Sequence, residues 1–155
     1  MKKNFSLFPF QFSPKNGFTL IELLVVIVII SILATLLMVN FIGVRQRGRD
    51  AQRKSDLRQI QSALELYRAD KGDYPTTAAY NAVTCLNQFA DSGAIYINKM
   101  PCDPKSGAKY SYNFDGSGAY TLYACLENLN DINKDPSVQT TCNTAGLSSF
   151  TVNAP

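Results

Sequence analysis

Hydrophobic patterning divides the 155 residues into three regimes. Residues 18–39, FTLIELLVVIVIISILATLLMV, are apolar on every helical face. Twenty-two residues in a helix span about 33 Å, against roughly 30 Å of bilayer hydrocarbon, so this run predicts a membrane-spanning helix. Residues 45–71 are apolar on one stripe only: Ala51, Leu57, Ile60, Leu64 and Tyr67 recur at helical steps, while Arg47, Asp50, Arg58, Gln61, Glu65 and Arg68 fall mostly elsewhere. No proline interrupts residues 18–71, which predicts one helix about 80 Å long. Gly43 and Gly48 are its soft points, each costing about 1 kcal/mol relative to alanine. Lys71-Gly72-Asp73-Tyr74-Pro75 supplies the stop, with glycine past the end and proline shortly after.

Beyond residue 75 the runs are short. Residues 76–90 predict a short helix with loops. Residues 109–114 alternate, placing Tyr110, Tyr112 and Phe114 on one face; Asp115-Gly116-Ser117-Gly118 forms a turn, and residues 119–125 continue as a second strand. Residues 149–152 add a third strand. The expected fold class is therefore α+β: a long N-terminal α-helix, half membrane-spanning and half amphipathic, packed on a small antiparallel β-sheet head. Residues 1–17 are expected to form a leader, 18–44 a transmembrane helix, and 45–155 a head that includes the amphipathic half of the helix.

Charge and cysteines sharpen this picture. The formal charge is +3, but Lys2, Lys3 and Lys15 lie in the leader. Residues 45–71 carry eight basic and four acidic side chains, and residues from 72 onward carry four basic and seven acidic. The basic excess thus sits just after the apolar run, which fits a juxtamembrane helix rather than a nucleic-acid face, and no direct nucleic-acid binding is expected. Cys85, Cys102, Cys125 and Cys142 all lie in the C-terminal half, without C-x-x-C spacing and without any His to complete a zinc site or a cysteine–histidine catalytic pair. Two disulfides are expected, in an oxidising compartment. Of three possible connectivities, Cys85 with Cys102 and Cys125 with Cys142 close the shortest loops. No Ala-x-Ala cleavage site follows the apolar run, so the run is expected to be retained as an anchor. The arginines after the span favour a cytoplasmic C-terminus by the positive-inside rule, whereas the cysteines favour the exterior. The cysteines carry more weight, because the arginines are interleaved with acids on a long helix.

One carboxylate, Glu22, stands within the apolar run and is the only charged side chain between Phe18 and Arg45. At mid-membrane such a group costs about 2.5–3.5 kcal/mol on insertion scales. Two readings stand: an acid snorkelling to the nearby interface, or an acid awaiting a partner charge. Cutting the chain between Gly17 and Phe18 would create that partner, a free amino group on Phe18.

At this junction the chain resembles a known family. Lys15-Asn16-Gly17-Phe18-Thr19-Leu20-Ile21-Glu22-Leu23 resembles the prepilin cleavage motif of type IV pilins and type II secretion pseudopilins. The resemblance continues through Arg49-Asp50-Ala51-Gln52-Arg53-Lys54-Ser55-Asp56-Leu57, Ala63-Leu64-Glu65-Leu66-Tyr67 and Gly72-Asp73-Tyr74-Pro75, covering about half the chain closely. Met100-Pro101-Cys102-Asp103-Pro104 with Tyr110-Ser111-Tyr112 resembles the region before the first strands of the major pseudopilins. The resemblance implies cleavage after Gly17 by a membrane aspartyl prepilin peptidase and N-methylation of Phe18. It implies a bacterial inner-membrane, single-pass protein with its head outside the cytoplasm. It also implies polymerisation with copies of itself, aided by an assembly platform and minor pilins, with Glu22 setting register against a neighbour's Phe18. The family's Pro-Asn near the end of the apolar run is Val39-Asn40 here, which removes one site of helix loosening.

Two further expectations remain. Glu127, Asn130, Asp131, Asn133 and Asp135 crowd the segment after the second strand, and such hard oxygens suit Ca²⁺. The major pseudopilins bind calcium in a loop at this position, although the spacing here is not that of an EF-hand and a solvated polar loop is the alternative. No other cofactor is expected, and the chain is read as a peptidase substrate rather than an enzyme. Pilus subunit and secretion pseudopilin stand level; the alternative is a membrane-anchored extracytoplasmic binding module that does not polymerise.

Overall fold

The computed structural model describes residues 17–155, so the leader, apart from Gly17, lies outside the described residues. The chain divides into two units, Met1–Val39 and Asn40–Pro155. Helix α1, Leu20–Lys71, contributes to both, and neither Gly43 nor Gly48 interrupts it.

In the first unit every residue from 17 to 38 is exposed. The segment Leu20–Met38 has a mean hydropathy of 3.0 and none of it is buried, so by length and composition it can cross a membrane. Ser31 and Thr35 donate to the carbonyls of Ile27 and Ser31, at 2.7 and 2.8 Å, and so hide their hydroxyls within the helix.

The second unit is built on the other half of α1. Its buried stripe runs Asp50, Arg53, Leu57, Ile60, Ala63 and Leu64, with Tyr67 partly covered. The expected stripe is confirmed from Leu57 onward but corrected at its start. Ala51 is exposed, and Asp50 turns inward in its place. Steps of three and four residues back from Leu57 reach Arg53 and Asp50, and the helix follows that geometry even though both side chains are charged. Gly72 ends the helix in the left-handed region at φ +84°, where its N–H donates to the Arg68 carbonyl at 2.8 Å.

After this stop Tyr74 and Pro75 are buried, and the short helix α2, Thr77–Ala82, opens with the Thr76 hydroxyl accepting from the Ala79 N–H. Strands β1, Phe89–Asp91, and β2, Ala94–Ile97, form a two-stranded antiparallel hairpin. Strands β3, Ser111–Phe114, β4, Tyr120–Leu126, and β5, Ser148–Asn153, form a three-stranded antiparallel sheet in the order β3-β4-β5. A short helix α3, Thr140–Thr144, precedes β5. In β4, Tyr120, Leu122, Ala124 and Leu126 are buried at every second position, the period of a strand with one covered face.

The core is unusually rich in tyrosine. Tyr80 stacks on Tyr112 with ring centroids 4.5 Å apart, and Tyr74 meets Tyr120 edge-on at 4.7 Å. The Tyr112 hydroxyl donates to the Pro75 carbonyl at 2.7 Å, tying the chain just after α1 to the sheet. The Tyr110 hydroxyl donates to Asp56 on α1 at 2.7 Å. These polar tips let large apolar rings fill the space between helix and sheet, and among the described residues the Tyr120 hydroxyl is the one buried side-chain polar atom left without a partner.

Candidate functional site

Gly17 and Phe18 precede α1 in non-helical, exposed backbone, and Phe18 is 77 % exposed. Glu22 lies in the first turn of α1. Its Oε2 accepts from the Thr19 backbone N–H at 2.9 Å and from the Thr19 hydroxyl at 2.7 Å, while Thr19 Oγ1 accepts from the Glu22 N–H at 3.3 Å. This reciprocal pair is a capping box, which satisfies two backbone donors that a helix start otherwise leaves unpaired. The motif Thr-x-x-Glu is legible in Thr19-Leu20-Ile21-Glu22, and reading Glu22 only as a membrane acid overlooks it. The structure thus gives Glu22 a local role beside any role between subunits.

The second cluster lies in the head and was not anticipated as a unit. Arg53 is 3 % exposed and Asp50 1 %. Arg53 Nη1 donates to Asp50 Oδ1 at 2.7 Å and to Glu127 Oε1 at 2.9 Å, and its Nε donates to Asp103 Oδ2 at 2.5 Å. Arg49 grips Glu127 with two parallel bonds of 2.7 Å, and Lys105 reaches the same carboxylate at 3.2 Å. Asp50 also accepts the backbone N–H groups of Glu127 and Asn128, at 3.0 and 2.8 Å. Three acids and three bases therefore join α1 to the segment before β3 and to the end of β4. Arg49 and then Arg53 hold Glu127 down to a pKa of about 2, against the partial burial that would raise it. Burial opposes ionisation of Asp103, but Arg53 and the N–H groups of Ser106 and Lys105 outweigh it and keep its pKa well below the ordinary carboxylate range.

This arrangement gives the candidate calcium residues other partners. Glu127 is committed to Arg49, Arg53 and Lys105. Asp131 receives the Lys54 ammonium at 2.5 Å and the Asn133 N–H at 2.8 Å. Asp135 accepts from the Ser149 and Thr151 hydroxyls and from the Thr151 N–H. Asn130 and Asn133 are exposed. Among the described residues no group of three or more His, Cys, Asp or Glu side chains could hold a metal ion. The five candidate oxygens are close in sequence, but lysine, arginine and hydroxyl donors take the acidic ones.

The cysteines pair as the short-loop reading has it, Cys85 with Cys102 and Cys125 with Cys142, and each pair is separated by 17 residues. The second bridge fastens α3 to the sheet at β4, with Cys142 fully buried. The first joins the segment after α2 to the segment before β3.

Comparison with known proteins agrees with these features. Residues 13–38 match the family described as prokaryotic N-terminal methylation motif, and residues 40–130 match type II secretion system protein G. The chain is similar to the type II secretion system core protein G of Escherichia coli K12, with 34 % identity over 114 residues covering 70 % of this chain and 79 % of that protein. It is 34 % identical to the core protein G of Pseudomonas aeruginosa over 117 residues, 71 % and 82 % of the two chains. It is 43 % identical to that of Klebsiella michiganensis over 99 residues, 60 % and 70 %. No solved structure matches the chain. Between pilus and secretion fibre, which sequence reading left level, these relatives fall on the secretion side. With most of the head and its helix matched to one description and the cleavage segment to another, the chain belongs to the type II secretion system protein G family.

Proposed function

We propose that this chain is a structural subunit of a type II secretion fibre, cut between Gly17 and Phe18, methylated on the Phe18 amine and polymerised through residues 18–44. The observation that carries the reading is a fully exposed apolar helix bearing one acid, four residues from a candidate new N-terminus. Exposure of Leu20–Met38 on all sides has two physical outlets, lipid before assembly and other helices after it. Such a head-to-tail helix contact does not close on itself and therefore extends as a filament. Glu22 of an incoming subunit then meets the Phe18 ammonium of a neighbour. Two charges about 4 Å apart gain on the order of 4 kcal/mol at an effective dielectric near 20, less desolvation, so the pair sets register more than it drives assembly.

The partners of this reading are a prepilin peptidase, copies of the same chain, an inner-membrane assembly platform and minor pilins. The chain carries no P-loop, so energy for extraction comes from separate machinery. The head stands outside the cytoplasm, where its two disulfides are stable.

Two measurements test this. Intact-mass analysis of membrane-extracted protein is expected to show loss of residues 1–17 and gain of one methyl group; a mature chain that retains the leader would refute the processing. Electron microscopy of sheared fibres is expected to show none from a Glu22→Leu variant that still inserts and is still cleaved. Ordered fibres at the wild-type level would leave a non-polymerising anchored module as the better reading.

A further inference from the structure

The arginines that follow the apolar span are not equivalent. Arg49 is taken by Glu127, Arg53 by Asp50, Asp103 and Glu127, and Lys54 by Asp131. Arg45 and Arg47 are exposed, and among the described residues neither has an ion-pair partner. We infer that Arg45 and Arg47 bind the phosphates of anionic phospholipid headgroups around the base of the head, holding the unassembled subunit at the membrane surface. The inference rests on the membrane placement proposed above but not on fibre formation.

Three features favour lipid over a protein partner. First, the depth is right: Arg45 is seven residues past Met38 in sequence, about 10 Å at helical rise, within reach of the headgroup layer by a long side chain. Second, the direction is right. Side chains on a helix lean toward its N-terminus, which here is the membrane side. Arg45 shows this lean, with its guanidinium 4.4 Å from the ring centroid of Phe41, one turn back. Third, residues two apart on a helix point to nearly opposite sides, so one flat protein surface could not take both Arg45 and Arg47. A ring of headgroups surrounds a single-pass helix on all sides and takes both. The same geometry accounts for the conflict with the positive-inside rule: three of the five basic residues between 45 and 54 are spent on acids of the head, and two are left for the membrane.

The test uses the full mature chain in nanodiscs of equal phosphatidylglycerol and phosphatidylcholine with matched acyl chains, with co-retained lipids counted by native mass spectrometry. Wild type is expected to retain phosphatidylglycerol in excess, by about fivefold per arginine. The doubly substituted chain, Arg45→Gln with Arg47→Gln, is expected to lose that excess and keep an unchanged melting temperature, since neither side chain holds the head together. Arg58→Gln serves as control. Arg58 is also exposed and, among the described residues, without an ion-pair partner, but it lies eleven residues beyond Arg47, about 16 Å further along the helix, and its loss is expected to change nothing. Equal lipid retention in wild type and double variant would overturn the inference, as would an equal drop in Arg58→Gln. Loss of fibres with lipid retention unaltered would also overturn it, assigning the two arginines to a protein neighbour. A chain that does not enter the bilayer would overturn the membrane placement and this inference together, whereas failure of fibre formation alone leaves the lipid result standing.

Discussion

Glu22 and Asp50 are both carboxylates on α1, and their surroundings in sequence and in space are opposite. Glu22 is flanked by leucines, isoleucines and valines and is exposed; Asp50 is flanked by arginines and glutamine and is 1 % exposed. In the first unit the fold buries none of the apolar residues from 17 to 38, and the acid among them is left unburied with them. In the second unit the inward stripe is fixed by the positions of Leu57, Ile60 and Leu64, and whatever stands three or four residues further back is carried inward with them. Asp50 and Arg53 accept that burial because they pair with each other and with Glu127 and Asp103. Hydrophobic neighbours in the sequence therefore say little about burial, and phase along the helix says much more.

The strongest way to break this contrast is to remove Arg53. Deleting one partner of a buried ion pair leaves uncompensated charge, which costs about 3–5 kcal/mol. Arg53→Ala strands Asp50 and part of Glu127, so denaturant unfolding of the chain in detergent, followed through head tyrosines, is expected to show a loss of that size. Arg49→Ala removes a half-exposed partner and is expected to cost less. A loss below about 1 kcal/mol for Arg53→Ala would mean that the network is solvated in the native head.

Next in size is the bridge that fastens α3. A disulfide closing a loop of this length contributes about 3 kcal/mol by restricting the unfolded chain. Replacing Cys125 and Cys142 by serine is expected to lower the stability of the head by about that amount. The substitution also frees the segment between β4 and β5, and limited proteolysis there reads the loosening directly. Unchanged stability would show that the Asp135 bonds to Ser149 and Thr151 hold the segment without the bridge.

Much of this molecule is legible in sequence, and the illegible parts share a cause. The long helix, its glycine stop, the β3–β4 hairpin and β5 follow from periodicity and turn chemistry. The β1–β2 hairpin escaped because strands of three and four residues are too short to show alternation. Its signal was the turn pair Ser92-Gly93, both at positive φ as the tight hairpin turn requires. Helix α3 reads Thr-Thr-Cys-Asn-Thr, poor in helix formers, and stands where Cys142 is tied to Cys125. The partners of the candidate calcium residues escaped for a different reason. The chain shows three acids and two amides close together, but Arg49, Arg53 and Lys54, more than seventy residues away in sequence, supply donors to Glu127 and Asp131. The N-terminal methylation motif at residues 13–38 was legible because it is local.

Acid offers a graded probe of the same network. Folded-state pKa values of Glu127 and Asp103 are depressed below their ordinary 4.5 and 3.8. A depressed carboxylate adds stability that is fully present above its unfolded pKa and is lost as pH falls toward the folded one. The head is therefore expected to hold its melting temperature down to about pH 4.5 and to lose it progressively between there and about pH 2. In Arg53→Ala that slope flattens in part, because Asp103 loses its strongest lowering partner while Glu127 keeps Arg49. An acid slope identical in wild type and variant would place the sensitive carboxylates elsewhere.

The smallest effect separates the two roles of Glu22. Its carboxylate caps α1 through Thr19, and it also carries the charge proposed to set register. Glutamine at this position keeps a capping oxygen and removes the charge; leucine removes both. Loss of a capping interaction costs about 1 kcal/mol, or roughly fivefold in the local opening equilibrium. Hydrogen exchange in detergent is therefore expected to speed the Thr19 amide about fivefold in Glu22→Leu and to leave it near wild type in Glu22→Gln. Head stability is expected to be the same in all three, since the hydrogen bonds of Glu22 are to Thr19. Fibre formation then reads the other role: if charge sets register, Glu22→Gln abolishes ordered fibres although its helix start is intact. Fibres from Glu22→Gln but not from Glu22→Leu would instead make the capping box the feature that assembly needs, and the exposed acid of the apolar segment would prove as local in its action as Asp50 is long-range.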